Sequence, residues 1–418
     1  MINFKEIPGV ISSLKSAPTK SNENDAPLML TVSEQREKDH VTRTMYLNGQ
    51  TIFFKVMGKD LPPPLLTWDF AVIAGIFTAM RLGKPLHVCG PVSKSLLRNL
   101  EEFQEIWTIW LPEHYSVISV SADAEIELPI TTSRRGIFAF SGGLDATYSL
   151  LRHQTKSAER RTITPEAALL INGFDLDLEN KPAMETATTS ALAILDELDV
   201  PLTIVETNWK TDLCYHWSME HMCGLMACLA QYQGMVDVAV VGGDEGADLI
   251  DIPWGSNAIT NPLLSSDNLQ LYTEGAGQTR SRRAAFVAEN SNLAPHLRVC
   301  WENAETGENC GTCEKCIRTQ LNFYAVGVEP KGFRKLAKFW QIALIPSKNL
   351  GDNYFLIEAM KEAAKRGNHG WWRVACNIGI IKNYLFTPWL LLRNELKKSI
   401  RKNETLYRHV RKLVGKHA

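Results

Sequence analysis

The stretch 137–147 constrains the fold more than any other part of the chain. Its first four residues, IFAF at 137–140, are apolar with aromatic side chains at alternate positions, a pattern typical of a buried strand. The sequence SGGLDAT follows at once at 141–147, and apolar residues then recur at a helical spacing. Two adjacent glycines let the backbone approach an anion closely, and the first amides of a helix point toward it. The sequence therefore predicts a strand, a phosphate-binding loop and a helix.

The polar side chains of this loop suggest what it holds. The hydroxyls of Ser141 and Thr147 can donate to phosphate oxygens, whereas the carboxylate of Asp145 needs a cation between itself and a phosphate. The loop lacks the Gly-Lys-Ser/Thr ending of a Walker A sequence and the spacing of a dinucleotide-binding turn. An ordinary strand-to-helix turn with two glycines remains the alternative.

From residue 135 the pattern alternates between strand and helix, as a parallel sheet with crossover helices requires. Ligands of such sheets bind beyond the carboxyl ends of the strands. We therefore expect SGGLDAT, the segment at 172–175 and the segment at 242–245 to meet at one edge. Backbone groups near Ile171 are predicted to contact adenine, and Asp244 to bind magnesium or substrate. A routine turn and a solvated acidic loop are the respective alternatives.

Three arginines, at 280, 282 and 283, lie in a helix-like segment further along the chain. One of them is a candidate for a contact with ATP phosphates, because guanidinium groups bind phosphate well. An exposed helix face is the commoner place for arginine, so this interpretation stays open here.

Four cysteines form the second strong pattern, Cys300-x9-Cys310-x2-Cys313-x2-Cys316. This spacing supplies four thiolates to one tetrahedral ion, and Gly311 permits a turn that aims amide hydrogens at sulfur. Zinc suits an all-sulfur structural site, although an iron–sulfur cluster uses the same ligands. The sequence thus predicts a zinc knuckle at 300–316.

The two patterns together resemble the 7-cyano-7-deazaguanine synthases, which belong to the PP-loop ATP pyrophosphatase superfamily. The similarity covers roughly residues 135–328. It implies a parallel-sheet PP-loop domain of the Rossmann-like kind, zinc on the four cysteines, and ATP with Mg²⁺ at the loop. Catalytic roles then fall on Asp145 and Ser141. The implied nucleotide-binding residues are Ser141, Gly142, Gly143, Leu144, Asp145, Ala146, Thr147, Ile171 and Asp244.

The resemblance also implies a reaction. An ATP-dependent ligase of this kind adenylates the carboxylate of 7-carboxy-7-deazaguanine or a similar 7-deazapurine acid and releases pyrophosphate. The acyl group then passes to ammonia, giving an amide and a nitrile, or to an amine on a protein, and AMP leaves. Similar proteins with added regions occur in antiphage defence systems. Two alternatives are a PP-loop tRNA sulfurtransferase and a non-catalytic ATP-binding subunit of a modification or defence complex.

We predict three regions: an N-terminal α/β domain at 1–132, the PP-loop domain at 133–328 and a helical C-terminal extension at 329–418. The formal net charge is −1, so the overall charge gives no general electrostatic attraction to nucleic acid or to a membrane. Residues 393–418 contain nine Lys or Arg against two Glu. This pattern is typical of a solvated helix face, and the alternative is a docking surface for nucleic acid or for an acidic partner, such as a protein partner or protein substrate. The N-terminal domain is the other candidate for that contact. We expect a cytoplasmic protein, and the sequence leaves a homodimer open.

Overall fold

The computed structural model describes residues 26–243, 246–247, 253–300, 302, 306–345 and 353–402. Ten strands form one sheet in the order β10-β9-β6-β7-β8-β3-β2-β1-β4-β5, and most neighbouring pairs are parallel. The strands are β1 Leu28–Arg36, β2 His40–Leu47, β3 Gln50–Gly58, β4 Leu86–Ser93, β5 Val120–Ile126, β6 Arg135–Ala139, β7 Thr164–Asn172, β8 Leu202–Thr207, β9 Val238–Gly242 and β10 Gln270–Glu274. The predicted α/β class is confirmed.

Helices connect these strands and then form the C-terminal part of the described chain. They are α1 Asp69–Leu82, α2 Lys94–Trp110, α3 Leu144–Gln154, α4 Lys181–Leu198, α5 Trp209–Asp212, α6 Trp217–Leu229, α7 Arg280–Asn290, α8 Glu314–Ala325, α9 Phe339–Ala343, α10 Asn353–Lys365 and α11 Trp371–Lys402. Among the residues that the structure describes, no helix is long and apolar enough to cross a membrane.

The N-terminal strands join the rest of the sheet directly. Strands β1, β2 and β3 are antiparallel neighbours, and the β2–β3 turn falls at Asn48-Gly49, a pair typical of hairpin turns, where both residues have positive φ. Strand β3 then pairs antiparallel with β8, from Phe54 opposite Thr207 to Gly58 opposite Thr203. The boundary expected at residue 132 stays a prediction, but the strands on its two sides belong to one sheet.

Strands β8, β7, β6, β9 and β10 are all parallel and carry the loops of interest at their carboxyl ends. Strand β10 was not foreseen, because its short sequence follows a turn-rich segment and has little apolar alternation. The apolar sequence pattern predicts a strand at 117–120 and a helix at 333–340, and both predictions are wrong in position. The strand begins at Val120, where it pairs with Leu86, and the helix α9 begins at Phe339.

Trp209 ties the N-terminal helix α1 to the parallel part of the sheet. Its side chain is buried, its indole Nε1 donates to the Ala74 carbonyl oxygen at 2.9 Å, and Gly224 of α6 packs against its ring. The same hydrophobic core contains residues of β1–β4 and of β7–β10. The packing therefore continues across the predicted boundary.

We expect Trp209→Ala to lower the free energy of unfolding by about 3–5 kcal/mol, because a large buried ring is replaced by a cavity. Urea unfolding followed by circular dichroism measures the change. Trp340→Ala is the matched control, since that ring is 69% exposed, and it should change stability by no more than about 0.5 kcal/mol. Equal effects of the two variants would contradict the packing role of Trp209.

Glu220 on α6 is a buried acid in this core. Its carboxylate accepts a hydrogen bond from the Tyr115 hydroxyl at 3.2 Å and another from the Tyr215 amide at 3.0 Å. Burial nevertheless dominates and raises the pKa of Glu220 to about 7. The folded protein therefore holds a proton on this side chain that the unfolded chain releases near its ordinary pKa of 4.5.

A raised carboxyl pKa means that the folded state binds more protons than the unfolded state between about pH 4.5 and pH 7. Stability should fall as the pH rises through that window, by up to about 3 kcal/mol for this group. Glu220→Gln should remove this part of the slope. Urea unfolding of both proteins at pH 5 and pH 8 tests it, and identical slopes would show that Glu220 does not titrate there.

Candidate nucleotide and metal sites

The SGGLDAT loop connects β6 to α3 as predicted. Gly142 has a φ of 73°, a conformation that favours glycine, and Gly143 caps the N-terminus of α3 with no side-chain hydrogen bond to the helix. The first-turn amides of a helix have no acceptor within the helix. They carry the positive end of the helix dipole, so this end of α3 suits an anion.

Two arginines of α7 bind the carboxylate in this loop. Asp145 Oδ1 lies 2.7 Å from Arg283 Nη1, and Asp145 Oδ2 lies 3.2 Å from Arg280 Nη2. Burial alone would raise the pKa of Asp145, but the charges of Arg280 and Arg283 outweigh it and hold that pKa below its ordinary value. Asp145 is therefore ionised, and the three groups together carry a net positive charge.

The two arginines are held very differently. The buried guanidinium of Arg283 also donates to the carbonyl oxygens of Gly243 and Gly275, beyond the ends of β9 and β10. The Arg280 side chain is 10% exposed, and its one partner among the described residues is Asp145. Its buried Nε has no hydrogen-bond partner there. Arg283 is thus a structural anchor, whereas Arg280 keeps donor capacity for a ligand.

Arg298 joins this loop to the cysteine cluster. Its backbone amide donates to the Gly142 carbonyl oxygen at 2.8 Å, and its side-chain Nε donates to the Gly307 carbonyl oxygen at 3.2 Å. The guanidinium is buried and no carboxylate pairs with it within hydrogen-bond distance among the described residues. Burial lowers the pKa of Arg298, but an arginine keeps its charge in proteins.

A further cation lies near the loop. Lys315, on the first turn of α8, also helps to lower the pKa of Asp145.

The other predicted loop residues are placed as follows. Ser141 is exposed, and its hydroxyl accepts a hydrogen bond from the Gly143 amide at 3.3 Å. Thr147 is fully buried, and its hydroxyl has no partner among the described residues. Leu144 is buried in the core below the loop, and Ala146 is half-buried.

Ile171 lies near the carboxyl end of β7, opposite Val205 of β8. The pairing of β7 with β6 ends earlier, at Leu169 opposite Ala139, because β6 turns there into the loop. Asp244 lies outside the described residues, directly after Gly243. The predicted meeting of 141–147 with the end of β9 is confirmed through Arg283, and the contact of Ile171 with adenine stays a prediction.

The four cysteines converge as the spacing predicts. The sulfur atoms of Cys300, Cys310, Cys313 and Cys316 all lie within 4.8 Å of one another. The amides of Thr312 and Cys313 point at the Cys310 sulfur, at 3.4 and 3.2 Å. Gly311, with a φ of 80°, makes this turn possible, and any Cβ there would overlap the Lys335 carbonyl oxygen. The predicted role of Gly311 is confirmed.

The donor set fits a metal ion. Hydrogen bonds to its sulfur, above all from Cys316, hold the pKa of Cys313 below its ordinary value. Asn309 holds the distant ligand in place, because its side-chain oxygen accepts from the amides of Val299 and Cys300 at 2.8 and 3.2 Å. Four sulfur ligands with no open position match a structural metal such as zinc.

Comparisons of this chain with protein-family models, with curated proteins and with solved structures return no match. The interpretation of the site therefore depends on its own geometry.

Arg298 is the site residue that the sequence did not reveal. The sequence signal for it was its position, two residues before the first cysteine of the cluster. No local pattern indicates that this segment is buried.

We expect the purified chain to contain about one zinc ion, because the four thiolates have the arrangement of a closed tetrahedral site. Inductively coupled plasma mass spectrometry measures the metal. Cys313→Ser should lose it, while Cys89→Ser, a half-buried cysteine outside the cluster, should retain it. Iron in place of zinc would indicate a cluster, and a metal-free native protein would contradict the assignment.

Proposed function

We propose that this chain is a PP-loop ATP-dependent ligase that forms an acyl adenylate. The observation that supports this most directly is the loop at the N-terminus of α3 with Arg280 and Arg283 on its single carboxylate, Asp145. The amides of a helix N-terminus and two guanidinium groups are a receptor for a polyphosphate. The buried Nε of Arg280 and the buried hydroxyl of Thr147 are polar groups that a phosphate oxygen would satisfy.

The same geometry bears on magnesium. Asp145 is the one carboxylate of the loop, and both of its oxygens pair with guanidinium groups. Mg²⁺ therefore does not fit on Asp145 as the arginines stand, and we assign the neutralisation of phosphate charge there to Arg280 and Arg283. ATP that arrives with its own Mg²⁺ would meet a loop that is already positive.

The reaction follows from how the phosphates would lie. The β- and γ-phosphates at the loop become the leaving pyrophosphate, which exposes the α-phosphorus to in-line attack by a substrate carboxylate oxygen. The new oxygen–phosphorus bond replaces the bond to pyrophosphate and gives an acyl adenylate. An amine nitrogen then attacks the acyl carbon, loses a proton and displaces AMP. The residues around the loop supply orientation and charge and need no covalent intermediate.

For the substrate we propose 7-carboxy-7-deazaguanine or a similar 7-deazapurine acid, from the sequence resemblance over 135–328. Ammonia or an amine on a protein is the acceptor, and an antiphage defence system is one setting for a protein acceptor. The direct test is AMP and pyrophosphate release by the zinc-containing protein with Mg-ATP, with and without this acid. Product masses recorded with ammonia present identify the acyl product. AMP that appears without any acid, or never, would count against the proposal.

Arg280→Met should lower the rate of AMP formation by about 100-fold or more, because one preorganised cationic donor to the phosphates is lost. Arg282→Met is the matched control: that side chain lies two residues away, is 44% exposed and pairs with Glu362. It should keep the rate within about twofold. ATP binding by both variants is measured in parallel. An Arg280→Met protein that turns over normally would rule out a phosphate contact by this residue.

A further inference from the structure

Arg298 is a buried cation that no carboxylate pairs with in the part of the chain that the structure describes. The residue is 7% exposed, and its Nε donates to the Gly307 carbonyl oxygen at 3.2 Å. That bond is the one described hydrogen bond of the guanidinium, which has five N–H donors. A buried charge is unfavourable unless an opposite charge compensates it. Most of the donor capacity of Arg298 is therefore open to an anionic ligand.

The backbone of Arg298 places this cation beside the loop at 141–147. Its amide donates to the Gly142 carbonyl oxygen at 2.8 Å, and a Cβ added at Gly142 would lie 3.6 Å from the Arg298 Cβ. Gly307, which accepts from the side chain, packs against the first turns of α4, the helix that follows β7. Arg283, in contrast, contacts the segments that follow β9 and β10. Cations thus flank the loop on two different sides.

Negative charges near Arg298 compensate it only in part. Burial lowers the pKa of Arg298, and the charges of Asp175 and Cys300 act in the opposite direction. Asp175 follows β7 and is exposed, so water and salt screen its charge. The Cys300 sulfur lies among the other three sulfurs of the cluster. Because Ser141 is exposed as well, a ligand from solvent can reach the β7 side of the loop.

A second buried polar group lies at the end of β7. Asn172 is the last residue of that strand and is 3% exposed. Its Nδ2 donates to Glu206 Oε1 at 3.1 Å, which fixes the amide orientation, whereas its buried Oδ1 has no partner among the described residues. An unsatisfied buried acceptor favours a ligand that brings an N–H donor. The β7 side of the loop therefore suits a molecule with both an anionic group and N–H groups.

We propose that Arg298 binds the carboxylate of the acid that this chain adenylates. The inference rests on the proposed function and adds to it the residue that recognises the acid. A guanidinium can hold both oxygens of a carboxylate through two parallel N–H bonds, so it orients the group as well as attracting it. With Arg280 on the phosphates, the carboxylate and the α-phosphorus would approach each other from the two sides of the loop. A ring of the same shape without the carboxylate would lack this contact.

Isothermal titration calorimetry of the full-length, zinc-containing protein tests the proposal. The protein is first saturated with α,β-methylene-ATP, which cannot release pyrophosphate. The two probes are 7-carboxy-7-deazaguanine and 7-deazaguanine, the same ring without the carboxylate. Arg298→Gln should weaken binding of the acid by about tenfold or more, because a charge-assisted pair is lost. Its affinities for 7-deazaguanine and for the nucleotide should stay within about twofold of those of the unchanged protein.

Two further variants control for structural effects. Arg298→Lys keeps the charge but loses the bidentate geometry, so its affinity for the acid should lie between those of the unchanged protein and Arg298→Gln. Arg334→Gln is the matched control, because this exposed arginine also lies near the cysteine cluster and its amide donates to the Asn309 carbonyl oxygen at 3.0 Å. It should bind both probes like the unchanged protein. Zinc content and urea unfolding are measured for each variant, and if Arg298→Gln loses zinc the comparison uses Arg298→Lys.

Several outcomes would overturn the proposal. Unchanged affinity of Arg298→Gln for the acid is one, and an equal loss of affinity for both probes is another, because it would make Arg298 purely structural. A loss of nucleotide affinity alone would assign Arg298 to a phosphate, and an unchanged protein that does not bind the acid would also contradict the assignment. AMP release by the same samples with Mg-ATP separates this inference from the proposed function. Acid binding that depends on Arg298 but yields no AMP would uphold the contact and refute the ligase reaction.

Discussion

The candidate site depends on one guanidinium group, that of Arg283. It is buried among the carboxylate of Asp145 and the carbonyl oxygens of Gly243 and Gly275, so it connects the first turn of α3 with the segments that follow β9 and β10. An uncompensated charge in such a place would cost several kcal/mol. The pairing with Asp145 and the carbonyl acceptors compensate it, and they also fix where the loop lies relative to the sheet edge. Arg280, whose one partner among the described residues is Asp145, takes no part in these carbonyl contacts.

The cysteine cluster extends this framework to the other side of the loop. Arg298 precedes Cys300 by two residues and donates its amide to Gly142, while Lys315 lies between the ligands Cys313 and Cys316. A bound metal would therefore fix both ends of the segment that supplies these two cations. A metal on the four cysteines would in this way help to fix the position of the loop at 141–147. The four cysteines and the loop at 141–147 are two parts of one local structure.

The parts of this arrangement that the sequence predicted are those coded by neighbouring residues. The apolar strand before SGGLDAT, the glycine at the turn of the knuckle and the spacing of the cysteines each follow from local geometry. The parts that it did not predict depend on long-range pairing. Strand β10 forms because β9 offers it an edge, and Arg298 becomes a site residue because its segment crosses the loop. Neither partner is near in sequence, so no period or motif marks them.

The same reasoning applies to the N-terminal residues, which the sequence set apart as a unit of their own. Strand β3 continues the sheet beyond β8, and Arg43 of β2 is buried with hydrogen bonds to Glu34, to the Pro63 carbonyl oxygen and to the Gln231 carbonyl oxygen. Without the N-terminal region, β8 would be an edge with unpaired backbone groups, and Trp209 would lose its acceptor on α1. Strand β8 flanks β7, which flanks the strand that leads into the loop. The N-terminal region therefore supports the loop at 141–147 through two intervening strands.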